Sequence, residues 1–389
     1  MGLVYEGQPL VDLSTDRDGD RVAIIRGYDV SYEPATRVNI GATHTGAAGY
    51  CRYVRRTQNG ELYVTGTGLA GKLIHSADGG HSWHSRDLGL PDLWFVSAFT
   101  ILQDDTFLLV EMPNLEGREV FLHRSTDYGE NWRREKLALD LTPHSHISGW
   151  NSDAIQLQDG TLLLTFELKN SKDAIHQEDG TDLPAVMKGA FPYVLRSHDG
   201  GATWPEKSMV SLYGAEVHLL ELPSGRILAA IRKQRWHRLP GDPHEMEPTM
   251  RANGYRPEYT GFVEDTAFAT TSCYKSVYVS ESSDGGRTWV DERRVSDYEQ
   301  CSGDLALLAD GKTLVLAYDS RYPDRFGKAG VRARVSYDQG QSWEPVEYVL
   351  GEGENYPGCI ATPDGGLITV CPYANEGPIQ AVHWRPQSV

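Results

Sequence analysis

The chain has 389 residues, with 54 Asp plus Glu against 37 Lys plus Arg and a formal charge of −17. No basic stretch is longer than a few residues, which argues against phosphate-backbone and anionic-membrane partners, so neither nucleic acid nor a membrane is expected. Forty glycines, abundant aromatics and apolar runs of only five to eight residues leave no room for a membrane-spanning helix and point to many short strands joined by turns.

The first twenty residues, MGLVYEGQPLVDLSTDRDGD, have no basic segment followed by an apolar one, which predicts a cytoplasmic chain, or a secreted one if a leader has been removed. Within them STDRDGD (Ser14 to Asp20) is explained by an acidic turn as well as by a Ca²⁺ loop, whose full pattern is lacking. No metal or cofactor is expected. Five cysteines (Cys51, Cys273, Cys301, Cys359, Cys371) include no CxxC pair and no Cys/His cluster of zinc spacing, so free thiols are the simpler reading. Cys51, Cys301 and Cys359 each lie near the start of an apolar strand and read as small buried hydrophobes.

Six hairpins follow in chain order: RYVRRTQNGELYVTG from Arg52, VSAFTILQDDTFLLVEM from Val96, DAIQLQDGTLLLTFEL from Asp153, EVHLLELPSGRILAAIR from Glu216, DLALLADGKTLVLAYDSR from Asp304 and PGCIATPDGGLITVCPY from Pro357. Each is a pair of β-rich runs around a tight turn, at Gly60, Asp105, Gly160, Gly225, Gly311 and Gly365. Behind the first five comes a third strand and then one phrase: SADGGHSW from Ser76, STDYGENW from Ser125, SHDGGATW from Ser197, SSDGGRTW from Ser282 and SYDQGQSW from Ser336. In Ser-x-Asp-x-Gly-x-(Ser/Thr/Asn)-Trp the Ser and Asp accept backbone N–H groups of a bend, the Gly supplies positive φ and the Trp folds back as an apolar plug. These turns hold hairpins and do not catalyse.

Four antiparallel strands per repeat make a propeller blade, so the chain is expected to be all-β, one six-bladed β-propeller over residues 1–389. The last hairpin is followed by IQAVHWR (Ile379 to Arg385) and no Ser-x-Asp phrase. Its fourth strand must then come from the N-terminal segment, around RVAIIRG (Arg21 to Gly27), which closes the ring and removes an exposed edge. An insertion in the fourth blade, residues 233–276, is too long for an ordinary connection and is expected to shape a binding site.

In a propeller the innermost strands begin around one channel, so the first residues of the hairpins converge. They are Arg52; Trp94, Phe95 and Ser97; Trp150, Asn151 and Asp153; Glu216 and His218; Ser302 and Asp304; Asn355 and Tyr356, with Arg232 and Arg321 ending second strands. Guanidinium forks around one cavity imply an anionic ligand despite the acidic whole, and carboxylates among them suggest acid/base work.

These phrases, the blade count and the channel residues resemble the exo-sialidases (neuraminidases) of bacterial and animal type, the Asp-box or BNR-repeat propellers. In EVHLLELPSGRILAAIR the spacing of Glu216, Glu221 and Arg232 is the most specific match. By resemblance Glu216 polarises the nucleophile, and Arg232 belongs to an arginine triad holding the substrate carboxylate. NYPGCIATPDGGL is similar to the segment opening on the nucleophilic Tyr, which gives that role to Tyr356. YCRYVRRTQNGEL looks like the segment supplying the first triad arginine, Arg52, with Tyr53 and Val54 in place of Ile-Pro. The third is Arg321 or Arg325, of which Arg321 directly ends a strand.

The resemblance implies retaining hydrolysis of an α-linked sialic or related ulosonic acid from a sialoglycan or other acidic oligosaccharide. A neutral phenol made nucleophilic by Glu216 avoids repulsion from the carboxylate on the anomeric carbon. One piece departs: TGTGLAGKLIHSADGG holds no carboxylate before Asp78 where the acid/base Asp is expected, nor the Arg beside it. Asp153, Asp29 or a residue of the insertion then protonates the leaving group, or the chemistry differs. Two alternatives stand beside this reading. One is a propeller glycosidase or lyase acting on a uronic acid or rhamnose-containing glycan through a pair among Asp153, Glu216 and Asp304; the other is a sugar-binding propeller without catalysis.

Overall fold

The computed structural model describes residues 21–26, 29–43, 52–66, 69, 71–90, 93, 95–113, 116–144, 146–148, 152–169, 191–212, 214–235, 274–298, 300–320, 330–352, 356–372 and 378–387. They are all-β in a propeller-like arrangement, with no α-helix among them. Ser14 to Asp20, Cys51, Cys273, Trp94, Trp150, Asn151, Arg321, Arg325, Asn355 and residues 236–273 of the insertion lie outside the described residues.

The N-terminal segment gives β1 (Arg21–Arg26), β2 (Asp29–Pro34) and β3 (Thr36–Thr43). The first hairpin and its third and fourth strands form one antiparallel sheet, β4 (Tyr53–Arg56), β5 (Leu62–Thr65), β6 (Lys72–Ser76) and β7 (His84–Asp87). The next repeat gives β8 (Val96–Ile101), β9 (Phe107–Glu111), the short β10 (Glu116–Gly117), β11 (Phe121–Ser125) and β12 (Arg133–Lys136). There follow β13 (His146–Ser148), which pairs with β10, then β14 (Ala154–Gln156), β15 (Leu162–Lys169), β16 (Phe191–Ser197) and β17 (Glu206–Met209). The fourth repeat is β18 (Gly214–Glu221), β19 (Ile227–Arg235), β20 (Tyr274–Ser282) and β21 (Val290–Arg294). The fifth is β22 (Gln300–Leu307), β23 (Leu314–Ser320), β24 (Gly330–Ser336) and β25 (Val346–Glu352), and the chain ends on β26 (Gly358–Ala361), β27 (Leu367–Pro372) and β28 (Pro378–Trp384).

These strands make five sheets, because one parallel bridge between Ser276 and Gln300 joins β20 to β22 and fuses two ladders into a ten-stranded sheet. The hairpins' first strands nevertheless pack in cyclic order, β4 on β8, β14, β18, β22, β26 and back on β4. Apolar clusters fill the spaces between neighbouring ladders, such as Tyr53, Leu73, Phe99 and Phe107 between the first two. Burial is therefore spread around a ring of interfaces instead of one central core.

The closing strand differs from the expectation. β28 pairs with β3, not with Arg21 to Gly27; β1 instead pairs with β25 and β2. The sequence explains this: Val22, Ala23, Ile24 and Ile25 are buried without alternation, as suits a strand covered on both faces between two partners. In β3 Ile40 is buried while Asn39 and Gly41 are exposed, as suits an outer strand.

The Ser-x-Asp turns have the geometry their residues dictate. In the first, Ser76 Oγ accepts the Gly80 N–H at 2.8 Å, Asp78 Oδ1 accepts the His81 and Ser82 N–H groups at 3.0 and 2.8 Å, and Trp83 Nε1 donates to the Gly80 carbonyl at 2.9 Å. Hydrogen bonds from Ser82 and Ser76 hold the Asp78 carboxyl well below the usual carboxylate range.

Each turn is also gripped by the preceding repeat. Arg86 donates to the Gly129 carbonyl at 2.9 Å, Arg124 to Gly200 at 2.5 Å, Arg196 to Gly286 at 2.8 Å and Arg226 to Gln339 at 2.8 Å. Where the chain ends meet, the donor to the Gly80 carbonyl is a histidine, His383 Nε2 at 3.0 Å, its ring stacked on His81 with centroids 5.0 Å apart. A cavity of about 790 Å³ opens there, lined by both imidazoles, Arg56 and Asp364, on the side of the hairpin turns and away from the first residues of the inner strands.

Candidate active site

The inner strands do not start regularly. β8 carries a bulge between Val96 and Ala98, β18 between Gly214 and Val217, and β22 between Cys301 and Asp304. A bulge sets two residues against one and re-aims side chains. Here it acts on Ser97, Glu216 and Ser302, all buried. Small residues precede the acid, Gly214-Ala215 before Glu216 and Ser302-Gly303 before Asp304, and make room for the bulge.

At the β18 bulge Glu216 meets two residues far away in the chain. The Tyr356 hydroxyl donates to Glu216 Oε1 at 2.8 Å. Arg232 Nη1 lies 2.8 and 2.9 Å from the two Glu216 oxygens and 2.9 Å from the Tyr356 hydroxyl. Ser302 Oγ donates to Glu216 Oε2 at 3.2 Å.

Arg52 completes the group, its guanidinium carbon 5.5 Å from the centroid of the Tyr356 ring. The chain must approach closely here: a side chain at Gly358 would place its Cβ 2.2 Å from the Arg52 carbonyl oxygen. Arg52 is 1 % exposed; among the described residues it donates only to the Gly303 carbonyl, at 3.4 Å, and its Nε and Nη1 have no partner. A buried guanidinium with donors to spare is a site for an anion.

One step deeper on the same strands lies a second polar layer. His218 Nδ1 is 2.9 Å from Asp304 Oδ1 and 3.9 Å from Asp153 Oδ2. Asp153 pairs with Arg55 at 2.7 Å and accepts the Leu219 and Ala154 N–H groups at 2.9 Å each. Asp304 accepts the Cys359 and Leu305 N–H groups at 2.7 and 3.1 Å. Burial pushes the Asp153 carboxyl up to about 6, against the opposing pull of Arg55 and the Leu219 N–H, with Asp304 adding to the rise. Burial likewise raises Asp304 against the pull of Arg55 and the Cys359 N–H. The pair at 2.7 Å does not cancel the loss of water around Asp153.

Of the residues read from the sequence, Tyr356, Glu216, Arg232 and Arg52 come together. Asp153, expected as an acid, sits in the deeper layer with both oxygens engaged. Asp29 begins β2, the outermost strand of its sheet, and is exposed; a proton donor at the inner strands cannot come from there. Arg321 lies outside the described residues. Arg55 was not foreseen: it is one of two adjacent arginines in a strand, and nothing local distinguishes the one that turns inward. Cys301, Cys359 and Cys371 are buried, and among the described residues no group of three or more His, Cys, Asp or Glu is placed to hold a metal ion.

No protein-family model and no curated protein matches this sequence. Solved structures are similar in fold. One is a protein of unknown function from Dyadobacter fermentans, with TM-score 0.61 and 16% identity over 90% of this chain and 98% of that one. Another is a Hadza microbial sialidase, with TM-score 0.56 and 16% identity over 92% of this chain and 69% of the other. A third is a Trypanosoma rangeli sialidase, with TM-score 0.51 and 12% identity over 90% and 59%. At such identity the likeness is one of fold.

Proposed function

We propose that the chain is an exo-acting glycoside hydrolase of the sialidase superfamily, a six-bladed propeller that releases a terminal acidic sugar, an α-linked sialic or related ulosonic acid, with retention. The six blades are the four-strand ladders led by β4, β8, β14, β18, β22 and β26, the last completed by β3 and the fused sheet counted as two.

The observation that carries the reading is the Tyr356–Glu216–Arg232 cluster, with the phenol 2.8 Å from a buried carboxylate 140 residues away. In the proposed reaction Glu216 Oε1 takes the phenol proton as Tyr356 Oη bonds to the anomeric carbon and the glycosidic C–O bond breaks. An aryl leaving group departs as its oxide and takes a proton from solvent; water then displaces Tyr356, losing its own proton to solvent, while Glu216 returns its proton to the phenol oxygen, and the two successive displacements keep the anomeric configuration. Arg232 and the unused N–H groups of Arg52 receive the substrate carboxylate and fix its angle to the phenol.

The second enzymatic reading draws a carboxylate pair from Asp153, Glu216 and Asp304, and of these the geometry favours only Glu216 as a group facing the mouth. Asp153 and Asp304 are each tied to two backbone N–H groups in the deeper layer.

The test is hydrolysis of an aryl α-sialoside, whose leaving group departs without needing a proton. Release of the aryl alcohol by the wild-type chain and retention in the first-formed sugar by NMR are expected. No release from any aryl sialoside or ulosonide would end the reading.

A further inference from the structure

The bulge in β22 does more than interrupt a ladder. Cys301 faces Asp319 and Asp304 faces Ala317, so Ser302 and Gly303 together stand opposite Tyr318 alone. Ser302 has φ +58°, in the left-handed region that a side chain rarely adopts. Gly303 is wedged between strands, where a Cβ would lie 2.9 Å from both Leu316 and Val277. A residue at positive φ and a tightly packed glycine side by side at a buried site call for a reason in what they hold.

They hold the two halves of the mouth. Ser302 Oγ donates to Glu216 Oε2 at 3.2 Å, and the Gly303 carbonyl accepts from Arg52 Nη2 at 3.4 Å. One residue further, Asp304 anchors the same strand to His218 and to the Cys359 N–H. Blade five therefore mounts the carboxylate of blade four and the guanidinium of blade one on one short piece of backbone.

The geometry points to Ser302 as a positioning residue for Glu216. Arg232 Nη1 lies almost equally far from both Glu216 oxygens, 2.8 and 2.9 Å, and so does not by itself choose between them. The Ser302 hydroxyl does: it occupies Oε2 and leaves Oε1 facing the Tyr356 phenol. A hydrogen bond donated to the ionised form also favours that form, so Glu216 is kept as the proton acceptor the phenol needs. Ser302 acts through Glu216. Its catalytic consequence rests on the reaction proposed above, but its effect on the carboxylate does not.

Two substitutions separate hydroxyl from backbone. Ser302→Ala removes the hydroxyl and keeps a side chain at positive φ, whereas Ser302→Gly removes the hydroxyl and relieves the backbone. The full chain, labelled with glutamate carrying ¹³C at the side-chain carboxyl, is titrated by NMR with the Glu216 signal assigned through Glu216→Gln. Both variants are expected to raise the Glu216 midpoint by about one pH unit. In parallel, aryl sialoside turnover is expected to fall about tenfold in kcat in both variants, with KM within twofold of wild type and the acid limb of kcat/KM shifted upward with the midpoint.

An unchanged Glu216 midpoint in both variants overturns the assignment. So does a shift confined to the alanine variant, because it would trace the effect to backbone strain. Should the wild type turn over no sialoside, the reaction reading falls while the carboxylate titration still decides the role of Ser302.

Discussion

The mouth and the layer beneath it are built on the same inner strands from the same residue types, arginine with carboxylate plus one ring that can donate a proton, yet they differ in what is left over. In the deeper layer Asp153 and Asp304 are met by Arg55, His218 and four backbone N–H groups. At the mouth Arg52 retains Nε and Nη1 without partners among the described residues, over the ring of a tyrosine whose hydroxyl is already bonded to a carboxylate. The carboxylates of the deeper layer are satisfied from within, and its one polar atom without a partner among the described residues is the ring nitrogen His218 Nε2, whereas at the mouth the spare donors belong to a guanidinium and suit an anion. Residue type and spacing do not separate the two; a charged donor left without a partner among the described residues does.

The widest separation between the layers is expected from Tyr356→Phe. On the proposed reaction it should lower kcat on an aryl sialoside by on the order of 10³-fold or more, because the ring remains under Arg52 while the oxygen assigned the attack is gone. The thermal midpoint should move by no more than a few degrees. A variant that loses stability in proportion to activity would make Tyr356 a structural residue and erase the distinction.

The opposite result is expected one layer down. Asp304→Ala leaves His218 and the Cys359 N–H buried without their acceptor and should destabilise the fold by about 3–5 kcal/mol, read from urea unfolding. Because Asp304 also anchors the strand that carries Ser302, the fraction that stays folded should lose no more than the about tenfold in kcat expected of the Ser302 variants. A stable Asp304→Ala protein with no turnover would instead place Asp304 in the chemistry and revive the carboxylate-pair reading.

Asp153 sharpens the comparison through pH. Its carboxyl titrates near 6 when folded against an ordinary value of 3.8, so folding favours its protonated form. The stabilisation that protonation brings is complete below pH 3.8 and fades as pH rises through about 6, the range in which the folded protein alone still holds the proton. Asp153→Asn should flatten the change of urea midpoint with pH between about 4 and 6 and leave the acid limb of kcat/KM in place. A moved acid limb would mean that Asp153 supplies a catalytic proton after all.

What the sequence disclosed follows from how local each feature is. The Ser-x-Asp turns and the hairpins around Gly60, Gly160 and Gly225 are written in consecutive residues, and their φ values of +92°, +89° and +81° are those only glycine adopts freely. The cluster of Tyr356, Glu216 and Arg232 was legible because the order of inner strands brings the starts of the hairpins together. Depth was not legible: Glu216 and His218 alternate onto one face, but which layer carries an open site depends on bulges and on partners from other strands. The closing strand was misplaced for the same reason. Arg21 to Arg26 and Thr36 to Thr43 are both strand-like, and only competition for β25 and β28 decides between them.

The smallest effect is expected far from both layers, at the seam where the chain ends meet. Four other turns are gripped by arginines, whose charge is constant, but the Gly80 carbonyl is gripped by His383. Burial lowers the His383 imidazole below its ordinary value near 6.5, against the pull of the Gly80 carbonyl, while His81 adds to the lowering and Asp364 and Asp78 oppose it. A folded value below the unfolded one means that the neutral ring is the one folding favours. Its contribution is present above about pH 6.5 and is lost as pH falls through the folded value. His383→Arg should therefore change stability at pH 7.5 by no more than about 0.5 kcal/mol and lessen the loss seen on acidification to pH 5. If the variant is equally acid-sensitive, the seam is no weaker than the arginine-held ones, and the acid response belongs to the buried carboxylates of the channel.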